Sequence, residues 1–259
     1  MDEKVAVEAL RQVKEIFDKY GIEYWLDFGT LLGAVRDGRI IPWDHDIDIG
    51  IWKKDFDKTS AACMELRDKG FKIHFGVDHI GIFKYENGEE NLISISAYSL
   101  DNNAQATLRW IVHPKERYYN GTKLIKRKTP QRIKLLLEYL IWLFSKPVYS
   151  GDNPRLIPYK LHVILFKVCG ILPTWLGELL TKTLLLTFKI FGCKYLLLSI
   201  PSHHFKNLST INFYGMEFRI PGRTEEYLEY KYGKNWKIPK RDWIYYKEDG
   251  AIFKNLFSQ

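Results

Sequence analysis

The chain has 259 residues, 46% of them hydrophobic and 15% aromatic, which is too much apolar surface for a disordered polymer. Its formal charge of +8 favours anionic partners, but no nucleic acid is expected because we find no recognised nucleic-acid module and no basic run longer than 126–128. Three scattered cysteines and a polar N-terminus indicate neither a disulfide framework nor a signal peptide, so we expect a cytoplasmic protein.

Helical and strand patterns alternate over the N-terminal part of the chain. Apolar residues recur at spacings of three and four from Ala6 to Tyr20, which predicts a helix that Gly21 ends. Isoleucines alternate with aspartates and glycine over 46–51, which predicts a strand with its isoleucines in the core. The other predicted elements are, in chain order, a strand over 22–28, a short helix over 31–36, a helix over 55–69, a strand over 71–75 and a hairpin of 79–85 with 92–98. This order predicts a mixed α/β (α+β) unit.

From about 131 to 200 the composition changes to Leu, Ile, Phe and Trp with widely spaced lysines. Lys160 and Lys167 are seven residues apart, as are Lys182 and Lys189, so each pair lies on one face of a helix. No uncharged stretch reaches about 18 residues, which argues against a membrane-spanning helix. These amphipathic helices either form a buried subdomain or lie in a membrane interface with their basic residues towards the headgroups.

Three aspartates, Asp44, Asp46 and Asp48, lie two residues apart on one predicted strand. Side chains at this spacing point the same way, so their charges raise one another's pKa unless a cation neutralises them. Carboxylate oxygens without softer ligands favour Mg²⁺ or Mn²⁺ over zinc. A solvated acidic strand end is the alternative. An EF-hand is excluded, because Ile49 stands where that loop needs glycine and Asp55 where it needs glutamate.

Four further residues are candidate substrate contacts. Gly29 and Thr30 stand between a predicted strand and a predicted helix, where backbone N–H groups and a hydroxyl suit a phosphate oxygen. The alternative is an ordinary helix start with an N-cap. Arg36 suits a bidentate phosphate contact, and Lys84 on the hairpin offers a further positive charge, although either residue is also compatible with a plain surface position.

Two ordered stretches of sequence resemble the LicD/fukutin family. The first comprises DFGTLLGAVR at 27–36 and IPWDHDIDI at 41–49, and the second runs from Phe213 to Pro239 around EEYL at 225–228. The resemblance implies a nucleotidyltransferase-like α/β fold with a mixed sheet flanked by helices. It also implies a catalytic core over 1–130, an inserted amphipathic helical region over 131–200 and a C-terminal segment over 201–259 that completes the catalytic domain.

The same resemblance implies a metal-dependent phosphotransferase. Such an enzyme moves a phosphocholine or phospho-alditol group from a CDP-activated donor to a hydroxyl of a cell-surface or lipid-linked glycan. Carried over by position, Asp44, Asp46 and Asp48 hold the metal and act in catalysis. Gly29 and Thr30 bind the donor phosphates and Arg36 steadies charge, while the basic helices hold the protein peripherally at the cytoplasmic membrane face. Two alternatives stay open: a nucleotidyltransferase that places a nucleoside monophosphate on a small molecule, protein or RNA, and a catalytically degenerate, membrane-associated interaction module.

The chain departs from the family pattern on the predicted strand 92–98, where relatives often carry a further catalytic aspartate. Ser94 and Ser96 stand there instead, so the sequence does not identify the general base; acidic residues nearby along the chain are Glu89, Glu90 and Asp101. The clustered cysteines of the family's zinc-bearing members are also missing, so we expect no structural zinc. His203-His204 could approach the site as an acid or base, but an ordinary surface or core-edge pair is the favoured interpretation.

Overall fold

A computed structural model describes residues 2–75, 78–86, 89–112 and 194–255, together with scattered helical positions between 140 and 186. The chain forms two compact units. The first combines Met1–Leu108 with Leu198–Phe253, and the second combines Arg109–Leu197 with Lys254–Gln259. Both motif stretches of the sequence therefore belong to the first unit. The functional division at 130 and 200 remains a prediction.

The regular elements follow the predicted order. The helices are α1 (Glu3–Lys19), α2 (Phe28–Arg36), α3 (Phe56–Asp68), α4 (Thr224–Tyr232) and α5 (Tyr245–Glu248). The strands are β1 (Tyr24–Leu26), β2 (Asp46–Trp52), β3 (Lys72–Phe75), β4 (His79–Glu86), β5 (Glu89–Leu100), β6 (Gln105–Val112), β7 (Lys194–Pro201), β8 (Ser209–Phe213), β9 (Met216–Ile220) and β10 (Ile252–Asn255). Each helix and strand expected from periodicity over 6–98 is confirmed, with ends shifted by a few residues.

Helix α1 shows how the sequence fixes one of these elements. The Asp2 side chain accepts a hydrogen bond from the backbone N–H of Lys4 at 2.9 Å and so caps the first turn. The apolar stripe, including Leu10, Val13 and Phe17, is buried against the sheet side of the unit. Gly21 follows with φ +60°, a conformation that glycine adopts without strain and that ends the helix.

The main sheet is mixed and has eight strands among the described residues. Its order is β1-β2-β5-β6-β7-β10, with β4 pairing to β5 and β3 to β4. Strands β2 and β5 run parallel, whereas β1–β2, β3–β4, β4–β5 and β5–β6 are antiparallel. Strand β2, which carries the acidic motif, is thus an interior strand. A separate hairpin of β8 and β9 completes the described sheets.

Strand β2 is buried on both faces, not only on its isoleucine face. Ile47, Ile49 and Ile51 lie in the core, and Asp48 and Gly50 on the other face are buried as well. A Cβ added at Gly50 would lie 2.3 Å from the indole of Trp25, so the position needs glycine for the tryptophan to pack. The middle of the aspartate side, at Asp48 and Gly50, is therefore covered by protein, whereas Asp46 at its edge is half-buried.

The C-terminal segment closes the core next to β1 and β2. Phe205 lies in an aromatic cluster, 5.0 Å from Trp25 and 5.5 Å from Tyr98 between ring centroids. Phe218 of β9 packs edge-on against Tyr24 at 6.5 Å. Residues that lie far apart in the sequence thus share one core around the acidic strand.

Candidate active site

The acidic cluster consists of Asp44, Asp46 and Asp48, each of which offers a carboxylate oxygen within 4.8 Å of the others. Asp46 and Asp48 lie on β2, but the prediction that all three lie on the strand is wrong for Asp44. The chain turns after Pro42, and the backbone N–H of Asp44 donates to the Ile41 carbonyl at 2.9 Å. The turn, rather than strand alternation, brings Asp44 to the other two.

Burial works against ionisation of this cluster. Burial, followed by the charge of Asp44, raises the pKa of Asp46 to about 7. Burial also raises the pKa of Asp48 well above its ordinary range, and the charges of Asp46 and Asp44 raise it further. Three clustered carboxylates of this kind are neutralised either by protons or by a cation. Their oxygen-only donor set fits Mg²⁺ or Mn²⁺.

Gly29 and Thr30 lie directly beside the acidic cluster. The Gly29 backbone N–H donates to Asp48 Oδ2 at 3.2 Å, and Thr30 Oγ1 accepts from the Asp48 backbone N–H at 2.8 Å. A Cβ added at Gly29 would lie 2.3 Å from Asp44 Oδ2, so the close approach requires glycine. The buried Thr30 hydroxyl is used to position Asp48, and a phosphate contact of either residue remains a prediction.

Arg36 and Lys84 are not brought to the acidic cluster by any described contact. Arg36 is seven residues along α2 from Gly29, roughly 10 Å at the helical rise, and its guanidinium forms two hydrogen bonds with Asp37. Lys84 Nζ donates to the Lys69 carbonyl at 3.4 Å and lies 4.6 Å from the ring centroid of Phe71. Phe83 and Asp46 both pair with Leu92 of β5, so they lie on the same face of the sheet. Because side chains alternate along a strand, Lys84 lies on the opposite face. No described contact brings either side chain to the acidic cluster, and the two phosphate contacts remain predictions.

A buried carboxylate behind the cluster, Asp27, was not singled out from the sequence. Tyr98 Oη donates to Asp27 Oδ2 at 2.7 Å, and Tyr227 Oη donates to Oδ1. The Asp27 backbone N–H in turn donates to the Asp48 carbonyl at 3.1 Å. Burial raises the pKa of Asp27, and the nearby Lys231 opposes that rise. Asp27 thus connects α2, β2, β5 and α4.

Lys231 is a second buried residue that the sequence did not reveal. Its Nζ pairs with Asp249 Oδ2 at 2.5 Å and lies 4.1 Å from the ring centroid of Phe28. Phe28 has φ +41°, an uncommon value for a residue with a side chain. The buried ion pair therefore packs the C-terminal segment against the turn that presents Gly29.

Ser94 takes the position next to Asp48 on the parallel strand β5. Its Oγ is hydrogen-bonded to His79 Nε2 of β4 at 2.9 Å. Asp101 instead accepts from the backbone N–H groups of Asn103 and Gln105 in a turn. Glu89 and Glu90 pair with Glu86 and Tyr85 at the turn end of the β4–β5 hairpin. None of the three acids considered from the sequence is thus placed beside Asp48, whereas a serine–histidine pair is.

Residues 21–133 match the family described as LicD/FKTN/FKRP, nucleotidyltransferase domain. These residues are similar to the nucleotidyltransferase domain of the LicD/fukutin family. Together with the mixed sheet, this match confirms the predicted fold class. The match covers the acidic cluster, α2 and β5, so the elements that build the site are those that define the LicD/fukutin domain.

Three named relatives of this chain differ in how much of each sequence is covered. Ribitol 5-phosphate transferase FKRP of Homo sapiens is 37% identical over 42% of this chain and 20% of FKRP. Ribitol-5-phosphate transferase FKTN of Homo sapiens is 23% identical over 93% of this chain and 35% of FKTN. Lipopolysaccharide cholinephosphotransferase LicD of Haemophilus influenzae is 21% identical over 92% of this chain and 91% of LicD. The chain spans about a fifth to a third of the two human relatives.

Among solved structures, the solution structure of antibiotic-resistance factor ANT(2'')-Ia has 15% sequence identity and a TM-score of 0.31, covering 73% of this chain and 96% of that one. Among the described residues, no helix is both long and apolar enough to cross a membrane.

Proposed function

We propose that this chain is a metal-dependent phosphotransferase. It moves a phosphocholine or phospho-alditol group from a CDP-activated donor to a hydroxyl of a cell-surface or lipid-linked glycan, with Mg²⁺ or Mn²⁺ as cofactor. The observation that carries the proposal is the acidic cluster, whose three carboxylates lie within 4.8 Å of one another and whose negative charges need a cation or protons to neutralise them. The printed names of LicD, FKRP and FKTN support the choice of transferred group.

The aspartates and the Gly29-Thr30 pair have different roles in this proposal. A cation held by Asp44, Asp46 and Asp48 would neutralise charge on the diphosphate and on the departing CMP. Gly29 N–H and Thr30 Oγ1 fix the carboxylate and backbone of Asp48, so the ligand geometry exists before the donor binds. In the transfer, a bond forms between the acceptor oxygen and the β-phosphorus of the donor, the bond from that phosphorus to the bridging oxygen breaks, and CMP leaves.

Ser94 and His79 are our candidates for receiving the proton of the acceptor hydroxyl. Neighbouring strands lie roughly 4.8 Å apart, so Ser94, in register with Asp48, stands one strand away from the cation ligands. A serine Oγ bonded to an imidazole can pass a proton to that imidazole, which releases it to water. The pair thereby substitutes for the aspartate that relatives often carry on this strand.

Part of the proposal is that the helical region touches a membrane on its cytoplasmic face. The described positions there include large apolar side chains that face solvent, with Ile171 exposed by 83% and Trp175 by 65%; the others are Ile164, Val168, Leu179 and Leu186. Lysines recur along the same segment. Apolar side chains bordered by basic ones suit the interface of an anionic bilayer. Sedimentation with anionic vesicles should fall for Trp175→Glu, and equal binding of both proteins would remove this part of the proposal.

The activity is tested by incubating purified protein with CDP-choline, CDP-ribitol or CDP-glycerol, Mg²⁺ and a glycan acceptor. We expect CMP release with one donor, none after chelation of Mg²⁺, and none for Asp46→Asn. Label that reaches the acceptor from the α-phosphate of a nucleoside triphosphate would favour a nucleotidyltransferase. If no cytidine diphosphate donor binds, and Asp46→Asn leaves cellular function intact, the chain is an interaction module and the proposal is wrong.

A further inference from the structure

A second group of metal-ligating side chains lies outside the acidic cluster. This histidine–glutamate cluster consists of His203 and His204 on the 3-10 helix Ser202–Phe205 and Glu226 in the first turn of α4. Each offers one ligand atom within 4.8 Å of the others. His203 Nε2 is 3.1 Å from Glu226 Oε1, and the two imidazole centroids are 4.1 Å apart. Two separate elements therefore converge on one point.

Both elements are held in place by the core. Phe205, next to His204, packs 5.6 Å from Tyr227, next to Glu226, between ring centroids. The backbone N–H of Gly222 donates to the His204 carbonyl at 3.0 Å. Tyr227 is fully buried and bonded to Asp27. The three ligands thus start from anchored backbone positions, so little conformational entropy is lost when they bind an ion.

His204 carries a feature that the protein contacts leave unexplained. Its side chain is buried, with the residue only 2% exposed, and its Nδ1 has no hydrogen-bond partner among the described residues. A buried ring nitrogen without a partner is destabilising. Burial, and then the proximity of His203, lowers the pKa of His204 to about 4, so the ring is neutral at physiological pH and retains a lone pair.

The missing clustered cysteines led us to expect no structural zinc, but from these contacts we infer that His203, His204 and Glu226 form a site for a divalent d-block cation of the zinc class. Two imidazole nitrogens and one carboxylate oxygen suit zinc, nickel or copper, whereas Mg²⁺ prefers oxygen ligands alone. Bond lengths of about 2.1 Å put the ligand atoms of a tetrahedral ion about 3.4 Å apart. The His203–Glu226 separation of 3.1 Å is close to this value, and the other two pairs of ligand atoms lie within 4.8 Å. Three protein ligands leave the fourth position for water.

The competing interpretation is an exposed ion pair. Arg223 Nη1 lies 3.3 Å from Glu226 Oε2, and both side chains are more than half exposed. Arg223 uses the oxygen that His203 does not contact, so Oε1 stays directed at the imidazoles. An ion pair accounts for His203 and Glu226 but not for the buried, unpartnered nitrogen of His204. The guanidinium charge opposes cation binding, which makes the measured affinity decisive.

An ion at this cluster would join the 3-10 helix to α4. These elements contribute Phe205 and Tyr227, which pack on the residues around Asp27. A bound ion would therefore stabilise the packing of these two elements behind the acidic cluster. This inference does not depend on the proposed transfer reaction.

The test is Zn²⁺ binding to the full chain, after chelator treatment and in excess Mg²⁺ so that the acidic cluster is occupied. Titration calorimetry should show one Zn²⁺ site, and Co²⁺ should give the visible absorption of a tetrahedral nitrogen–oxygen site. His203→Ala and Glu226→Gln each change an exposed side chain and should weaken Zn²⁺ binding roughly tenfold or more. Glu225→Gln is the matched control, since Glu225 is the adjacent, exposed glutamate, paired with Lys237 at 3.4 Å, and should bind Zn²⁺ like the unaltered chain.

Unchanged thermal unfolding without metal would show that the variants fold. The inference is overturned if the unaltered protein binds no Zn²⁺ at micromolar concentration. It is equally overturned if His203→Ala and Glu226→Gln bind as tightly as Glu225→Gln.

Discussion

The acidic cluster and the histidine–glutamate cluster both gather three ligand atoms within 4.8 Å, but the protein surrounds them differently. The acidic cluster is built on an interior strand, and its buried member Asp48 is held by the backbone and hydroxyl of α2. The histidine–glutamate cluster lies on a short helical segment and a helix start, and the side chains of His203 and Glu226 are exposed.

The difference shows how burial and donor type together select an ion. Like charges in a buried site raise the free energy of the folded state until a cation or protons neutralise them. Imidazoles are neutral ligands, so the second cluster persists without an ion and changes little when one binds. We therefore expect the first cluster to govern activity and the pH response, and the second to govern only stability.

The largest effect should come from Asp48→Asn. The change keeps the shape of the side chain but removes one cation ligand, which is worth several kcal/mol of transition-state stabilisation and corresponds to a loss of roughly a thousandfold or more in CMP release. Glu226→Gln, in the other cluster, should retain activity within about threefold. Equal losses in the two variants would contradict the separation of roles.

A loss of roughly a hundredfold is expected for Ser94→Ala or His79→Gln, because proton transfer by a positioned side chain contributes about 10²–10⁴. The pH profile of the rate is the decisive measurement, since the limb that depends on the imidazole should disappear in His79→Gln. Ser94→Asp, which places a carboxylate at this position, should be more active than Ser94→Ala. If both variants keep the unaltered profile, the pair is structural.

A moderate effect is expected for Tyr227→Phe, which removes a hydroxyl donor from the buried Asp27 carboxylate. The free energy of unfolding should fall by about 1.5–3 kcal/mol, as for hydrogen bonds to charged groups. Urea unfolding gives the measurement. Tyr230→Phe on the same helix is the control: its hydroxyl donates to the uncharged Ser199 carbonyl at 3.2 Å, so its loss should cost about 1 kcal/mol.

The smallest effect concerns the pH dependence of stability. Burial and neighbouring charge raise the pKa of Asp46 to about 7 in the folded chain, whereas an unfolded aspartate titrates near about 4. The folded, metal-free protein therefore holds an extra proton between these values. The stabilisation that this proton gives the folded state is fully present below the pKa of the unfolded aspartate. It is lost as pH rises through the pKa of Asp46 in the folded chain.

Mg²⁺ replaces the protons of this cluster, so it should raise Tm by a few degrees at about pH 8 and hardly at about pH 5. Differential scanning fluorimetry with and without Mg²⁺ measures both shifts. The double variant Asp46→Asn, Asp48→Asn should lose the response to Mg²⁺ but keep a response to Zn²⁺. A Mg²⁺ shift that is independent of pH would contradict the raised pKa.

Local spacing was sufficient to predict much of the framework. The period of α1 and the alternation of Ile47, Ile49 and Ile51 depend on neighbours within a few residues, so these elements could be predicted. The proximity of the acids to Gly29 also followed from the motif. Asp44 was placed wrongly because a turn after Pro42, not strand alternation, sets its position.

Long-range partners could not be predicted in the same way. Asp27 receives hydrogen bonds from tyrosines 71 and 200 residues further along the chain, and no local pattern signals them. Arg36 and Lys84 were chosen for their charge, yet charge does not determine which way a side chain points. The partner of Ser94, His79, became evident only from the register of β4 on β5.

The link between Asp27 and Tyr227 also sets an order for biosynthesis. A ribosome adds roughly 5–20 residues per second, so Tyr227 emerges about 10–40 s after Asp27. Until then the nascent chain carries its acidic strand without α4, and the Asp27 carboxylate lacks one of its two tyrosine donors. A product truncated before α4 would keep every residue of the acidic motif and still lack a finished core, so we expect it to be bound by chaperones and degraded.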